Sequence, residues 1–450
     1  MNHNFYVIQL VDPKSMTSSC QKDTLPPVDS DPIRLLHWTL DAMSELSRFL
    51  IPHGFRFGAA KAGLKASGRT DFALIVTDQP ASAAAAFTAN RVTAAPLIVD
   101  KQNLKASGGR VRVVAINAGN ANCAAGQAGL EAARATCASA AQVFGCPSEQ
   151  VFPSSTGVIG VPLPFEKLVA AMPALAARLG SEGDHFAEVA QAILTTDTVE
   201  KTAFARFDSH AADGSSAEVR IAALGKGSGM IHPQLVPHAT MLVYVLTDAA
   251  IEPADLDRFL ARAIEVSFNR ISVDGDTSTN DTVLLLASGA SGVSIPAGDH
   301  AFQAALTQVC TSLARQIVAD GEGVTHVVEL HISGAASDAD ALRVAKAIAH
   351  SPLVKTAWAG CDPNWGRLAA AIGYSGADID PDRFDISFGL LPICRNGGRA
   401  REFDEAAAHD YISQEEFSIS IELHQGKGSC IFWTTDLTTE YIHINADYST

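Results

Sequence analysis

Positive charge is scarce in this chain. Thirty-three Lys and Arg stand against forty-nine Asp and Glu, a formal net charge of −16 at pH 7. Such a balance argues against a nucleic-acid backbone or an anionic membrane as the main partner and favours small molecules. No apolar stretch reaches the ~18 uninterrupted residues of a membrane span, because Asn, Asp or Lys cuts each nearest candidate. The first ten residues carry no basic stretch, and Asp12, Pro13 and Lys14 end their apolar run before a secretion-type cleavage site could follow. The expected location is the cytoplasm. The eight cysteines form no Cys-x-x-Cys pair and have no His at zinc-finger spacing. They read as reduced thiols rather than a disulfide framework, and no metal site is expected. Also absent are the spacing of a phosphate-binding P-loop, a G-x-G-x-x-G turn and a G-x-S-x-G nucleophile elbow.

What is present is a 450-residue chain with 47% apolar residues, long enough for two or three domains and rich enough to bury a large core. Residues 1–50 differ from the rest: they are polar, carry Pro13, Pro26, Pro27 and Pro32, and end in a short amphipathic run. They read as an unstructured extension, or as residues upstream of a true start at Met43. From Gly54 onward short β-rich runs alternate with Ala-rich helical ones. Strands are expected at 72–77, 96–100, 111–118, 151–155, 202–208, 218–224, 240–247, 283–287 and 326–333. Helices are expected at 129–144, 165–179, 186–194, 253–266, 302–319 and 338–348. The Gly-, Ser- and Pro-rich break at 288–299 suggests a division into 51–290 and 291–450.

Single features are weak. Gly225-Lys226-Gly227-Ser228-Gly229 is by itself an ordinary turn with a solvated lysine. The polar run from Asp274 to Asp281 begins like a calcium loop but has Thr279 where Gly is needed and Leu285 where Glu is needed. It reads equally as a set of turns and caps. Thr240, after Ala239 and before an apolar run, is by itself a strand-opening β-branched residue.

Taken in order, however, the motifs define a pattern. They are Ser67-Gly68-Arg69-Thr70-Asp71, Asn117-Ala118-Gly119-Asn120-Ala121-Asn122, Ser155-Thr156-Gly157-Val158-Ile159-Gly160, Thr195-Thr196-Asp197-Thr198 and the 225–233 turn. They continue with Ala239-Thr240-Met241-Leu242, the 267–281 run, Gly321-Glu322-Gly323, Asp362-Pro363-Asn364-Trp365-Gly366-Arg367 and Asn445-Ala446-Asp447-Tyr448-Ser449-Thr450. From about Gly54 to the end the chain resembles the ornithine acetyltransferase (glutamate N-acetyltransferase) family of arginine biosynthesis, whose members cut themselves into two chains.

That resemblance implies autocatalytic cleavage between Ala239 and Thr240, with Thr240 becoming an N-terminal nucleophile. A Thr hydroxyl is a weak nucleophile, but a new α-amine of ordinary pKa about 7.7–8.0 serves as its base near neutral pH. Thr156 and Gly157 match the oxyanion-hole pair, and Thr195, Lys226, Thr240, Glu322, Asn445 and Thr450 match substrate-binding positions. The implied reaction is ping-pong transfer of acetyl from N-acetylornithine to glutamate without a cofactor, with acetyl-CoA left open as a further donor. The implied assembly is a heterotetramer of two copies of each processed chain. The implied fold is an αββα sandwich like that of self-processing aminopeptidases, followed by a smaller C-terminal α/β domain whose tail returns to the active site. Alternatives are an N-terminal-nucleophile amidase or aminopeptidase, and an unprocessed amino-acid-binding relative. Two departures stand out. Gln234-Leu235-Val236-Pro237-His238 places five residues between His232-Pro233 and Ala239-Thr240 where the family has two, putting the rate of cleavage in question. His326 occupies a position where the family commonly has Lys or Arg, which is expected to weaken an anion contact.

Overall fold

A computed structural model describes residues 6–9, 50–210, 214–233 and 241–447. The insertion at 234–238, Ala239, Thr240, Thr450, Met43 and the amphipathic run before Leu50 lie outside the described residues.

The first sheet contains β1 (Tyr6–Gln9), β2 (Phe55–Ala60), β3 (Phe72–Phe87), β4 (Arg110–Asn120), β5 (Val151–Val158), β6 (Lys201–His210), β7 (Ser216–Lys226), β8 (Leu242–Thr247) and β9 (Thr282–Ala287). Its order is β1-β6-β7-β8-β9-β3-β4-β5, with β2 on the first half of β3. Four residues of the N-terminal extension thus pair antiparallel with β6. The long strand β3 serves both halves of the sheet. Residues 72–77 pair with β2, 72–76 with β4, and 82–87 with β9. The ladder to β4 shifts between Val76 and Ala81, around Pro80, which has no N–H to donate.

Alternation along the strands then builds two facing layers. Ala73, Ile75, Phe57, Ile116 and Phe152 share one buried core with Leu224, Tyr244, Leu246, Leu284 and Leu286, so the two halves of the sheet face each other. The outer face of the β3–β5 half is covered by α2 (Gly126–Phe144) and α3 (Phe165–Ala176). The outer face of the β6–β9 half is covered by α5 (Pro253–Glu265) and α6 (His300–Ala319). The result is the αββα sandwich that the sequence motifs imply. Each fully buried Phe or Leu in it contributes about 1.5–3 kcal/mol. Helix α4 (Gly183–Ala192) adds Phe186 and Val189 to the shared core.

One expected strand is a helix. Residues 96–100 belong to α1 (Ala95–Ala106), with Pro96 in its first turn and Lys105 in its last. A first-turn proline gives up only an N–H that has no helical partner. The short apolar run Pro96-Leu97-Ile98-Val99 does not distinguish the two conformations.

The second sheet runs β13-β12-β11-β14-β10-β15, from β10 (Val327–Ala335), β11 (Asp385–Phe388), β12 (Leu391–Arg395), β13 (Gly398–Arg399), β14 (Glu416–Glu422) and β15 (Gly428–Thr435). Its core is shared with α7 (Asp338–Ala349), α8 (Pro352–Ala359), α9 (Trp365–Gly373) and α10 (Glu405–Ile412). A last helix, α11 (Thr439–Asp447), follows β15. Because α6 packs on the first sheet, the break at 288–299 sits inside the sandwich, and the change of core comes after Ala319. Among the described residues no helix is long and apolar enough to cross a membrane, and the seven described cysteines are free thiols.

A buried and a half-buried histidine give the fold an acid-sensitive point. The rings of His232 and His350 meet edge to face, 4.2 Å between centroids. Burial, and then the neighbouring charges, lower their pKa values from 6.5 to about 3 and about 4. The unfolded chain takes up protons below pH 6.5 that the folded chain refuses, so stability is complete above that pH and falls as pH drops toward 4. At pH 5 the expected loss is about 2 kcal/mol per ring. Urea titrations at pH 7.5 and 5 check this: a His350→Phe variant should show about half the wild-type loss, and an equal loss would refute the assignment.

Candidate active site

The parallel ends of β4 and β5 form the first wall. A Cβ on Gly157 would lie 2.3 Å from the carbonyl carbon of Gly119 and 2.5 Å from Asn120 N, and Gly157 has φ +130°. Only glycine fits so close an approach of two backbones. Around it runs a buried amide network. Ser155 Oγ donates to Asn117 Oδ1 at 2.6 Å, and Asn117 Nδ2 donates to the Asn120 carbonyl at 2.8 Å. Asn280 Nδ2 donates to the carbonyls of Ala121 at 2.6 Å and Ser155 at 2.8 Å. The two polar motifs at 117–122 and 274–281 are thus one structure that fixes the backbone on both sides of Thr156. Thr156 and Gly157 are half-buried at its end.

The second wall is a buried charge cluster. Lys201 Nζ lies 2.8 Å from Asp197 Oδ1 and 2.5 Å from Asp320 Oδ2, and Lys226 Nζ lies 3.4 Å from Asp197 Oδ2. Asp197 also accepts the backbone N–H groups of Gly227 at 2.6 Å and Thr195 at 3.0 Å. Burial alone would raise the Asp197 pKa, but the Lys226 and Lys201 ammoniums hold it well below the usual carboxylate range. Lys226 is therefore no solvated turn lysine: it is 7% exposed.

Two residues beyond Asp320, whose carbonyl accepts from Ser228 Oγ at 2.7 Å, comes the third element. Ser228 accepts from Glu322 N at 3.3 Å, and a Cβ on Gly229 would lie 2.4 Å from Glu322 Oε2. The Glu322 carboxylate rests directly on that glycine. Asn445 Nδ2 of α11 donates to Glu322 Oε2 at 2.9 Å. The helix is seated by Thr438 Oγ1, which donates to the Gly323 carbonyl at 2.6 Å. One turn thus presents a cation at Lys226 and abuts a carboxylate at Glu322.

The residues flanking the undescribed 234–240 segment are firmly placed. Upstream, Asp274 accepts from Met230 N at 2.6 Å and Ile231 N at 2.9 Å, and Thr277 Oγ1 donates to the His232 carbonyl at 2.9 Å. Downstream, the Met241 carbonyl accepts from Thr282 N at 2.7 Å, and Leu242 pairs with Lys226. The 274–281 run therefore holds the upstream flank, and Thr282, directly after it, the downstream one.

Sequence reasoning did not single out Lys201, Asp320, Asn280 or Lys65. Lys65 donates to the carbonyls of Thr70 and Ala192, both at 2.8 Å. Its stem lies against Gly119, and burial lowers its pKa to about 8. No local pattern marks Lys201: at 0% exposure a lysine needs paired carboxylates, and one of the two, Asp320, comes from 119 residues away. His326 is turned to an anion of the chain itself: its Nδ1 lies 2.9 Å from the buried Asp436 carboxylate.

A sandwich with glycine-tight strand ends beside a buried cation and a carboxylate is the framework of an acyl-transfer enzyme acting on amino acids. A sequence profile of the ArgJ family matches residues 56–450. The arginine biosynthesis bifunctional protein ArgJ of Geobacter sulfurreducens is 44% identical over 401 residues, 88% of this chain and 99% of that protein. The protein of the same name from Chlorobaculum tepidum is 45% identical over 399 residues, 88% of this chain and 96% of that protein. Among solved structures, an ArgJ from Bacillus halodurans is similar at 42% identity and TM-score 0.44, covering 46% of this chain and 98% of that one. The chain belongs to the ArgJ family, and it is an acetyltransferase of arginine biosynthesis.

Proposed function

We propose that the chain cuts itself between Ala239 and Thr240 and then carries acetyl from N-acetylornithine to glutamate on Thr240. The observation that carries this reading is the convergence of Lys226, Glu322 and the Met241 end of β8 on one short turn. In the first half-reaction Thr240 Oγ attacks the acetyl carbonyl, its proton passes to the new α-amine, and the amide C–N bond breaks. Ornithine leaves with that proton. In the second, the glutamate amine attacks the ester, and Thr240 Oγ departs and regains its proton. Thr156 and the Gly157 N–H supply the donors to the tetrahedral oxygen, each worth about 3–4 kcal/mol of barrier. Lys226 supplies the positive anchor for a substrate carboxylate, and Glu322, held by Asn445, the negative one for an ammonium. Thr195 and Thr450 contribute orienting hydroxyls. No cofactor enters this scheme, and acetyl-CoA would serve as an alternative donor to the same hydroxyl. The working enzyme is proposed to be cytoplasmic and to hold two copies of each processed chain.

The test is N-acetylornithine labelled in its acetyl group. N-acetylglutamate should form one for one with ornithine, with parallel-line kinetics. Release of labelled acetate at the same rate without glutamate would replace this reading with an amidase. A second expectation concerns the tail. Deleting residues 445–450 removes the Asn445 contact to Glu322, while Asn445, Ala446 and Asp447 are themselves exposed. Turnover should fall at least 100-fold while the melting temperature moves by no more than about 2 °C. Unchanged turnover would remove the tail from the site.

A further inference from the structure

A second constellation lies at the end of the second sheet. His326 precedes β10, Cys361 follows α8 and Asp436 follows β15, so three separate segments bring them together. Asp436 Oδ2 lies 2.9 Å from His326 Nδ1, and Cys361 Sγ lies 3.8 Å from His326 Nε2. The carboxylate is itself fixed. Its Oδ1 accepts from Thr325 N at 3.1 Å, its Oδ2 accepts from Thr325 Oγ1, and Asp436 N donates to the His326 carbonyl at 3.1 Å. With Asp436 on Nδ1, the ring carries its proton there and turns Nε2 to the thiol as an acceptor. Cys361 is half-buried and sits at φ +51°, a left-handed conformation that costs a non-glycine residue energy. That backbone is held by Cys361 N donating to the Trp358 carbonyl at 2.9 Å and by His409 Nδ1 at 2.7 Å from the Cys361 carbonyl.

We propose that Cys361, His326 and Asp436 form a thiol-activating relay, and that Cys361 is a modification site for small disulfides. A nucleophile within hydrogen-bond reach of a base, with the base oriented by a third group, is the arrangement that activates a thiol. In the reaction the Cys361 proton passes to His326 Nε2 and the sulfur attacks one sulfur of the disulfide. A new S–S bond forms as the old one breaks. The departing thiolate takes the proton from the imidazolium, so Cys361 is oxidised and the leaving sulfur reduced. Among the described cysteines no other has an imidazole on its sulfur. Cys137 and Cys310 are buried, and burial pushes both thiols up, Cys310 to about 12. Cys146 is half-buried like Cys361, without such a partner.

The experiment uses the full-length protein at pH 7. Oxidised glutathione tests the adduct, and iodoacetamide supplies the rate, both read by peptide mass spectrometry. Cys361 should form the mixed disulfide and alkylate at least tenfold faster than Cys146. Between pH 8 and 6.5 the rate at Cys146, whose thiol burial pushes up, falls about thirtyfold, and that at Cys361 should fall several-fold less. His326→Gln should slow Cys361 at least tenfold and leave Cys146 unchanged. Equal rates at Cys361 and Cys146 in the wild-type protein, or a Cys361 rate unchanged by His326→Gln, would overturn the proposal. Should that variant fail to fold, the wild-type comparison and its pH profile decide alone.

Discussion

A Thr240→Ala variant is expected to run as one intact chain on a denaturing mass spectrum and to lose acetyl transfer by several orders of magnitude. Two independent losses combine in it. The hydroxyl that would attack the acetyl carbonyl is gone, and so is the hydroxyl that would attack the preceding peptide bond. Without that cut the nitrogen at residue 240 remains an amide, which has no basicity to lend. The wild-type protein beside it should give two fragments, parted after Ala239. Wild-type and variant chains that are both intact would mean that the five-residue insertion blocks processing. Two fragments in the variant would move the nucleophile elsewhere. Because β7 and β8 are placed by their own ladder from Ile221 to Lys226, the variant should remain folded, so its inactivity reads as chemistry.

The largest expected effect on stability comes from Lys201→Met. Lys201 is completely buried between Asp197 and Asp320. Its removal leaves Asp320 without a cation and Asp197 with Lys226 alone. Breaking a buried pair from one side costs about 3–5 kcal/mol, far more than the net worth of the pair, because the stranded charge stays out of water. The clean measurement is urea unfolding of Lys201→Met in the Thr240→Ala background, where a single uncut chain unfolds. Adding Asp320→Asn should return part of the loss, since an amide is cheaper to bury than an unpaired carboxylate. A loss below about 1 kcal/mol would show that the cluster is open to solvent. Lys226→Met, at the edge of the same cluster, should act mainly on KM for glutamate.

Much of the sandwich is legible in the sequence because its strands are short apolar runs with both faces buried, such as 242–247 and 283–287, and its helices have long Ala-rich periodicity. The second half of β3 is not legible. Residues 83–86 are four consecutive alanines, poor strand formers, and they are extended because small side chains let β3 pack between β9 and two cores. The helix at 95–106 is hidden by a four-residue apolar run, too short for a period to show. At the site, the family resemblance carried by the motifs in register, and no single motif, implied Thr156, Gly157, Thr195, Lys226, Glu322 and Asn445. The structure brings Lys226 to Asp197 beside Thr195, and Glu322 to Asn445. Lys201 and Asp320 were invisible because their meaning depends on a contact across 119 residues, which no local pattern carries.

The strand order has a bearing on how such a molecule can be made. Strands β8 and β9, which follow Thr240, are interleaved between β7 and β3, which precede it. A cut at 239–240 therefore leaves two polypeptides that interlock like the fingers of two hands, each supplying the neighbours that the other's interior strands require. Synthesised apart, the first would expose the inner edges of β7 and β3, and the second a bare pair of largely apolar strands, both ready templates for aggregation. A single precursor that folds before it is cut keeps the partners tethered in a one-to-one ratio, and afterwards the ladder holds what the peptide bond no longer does.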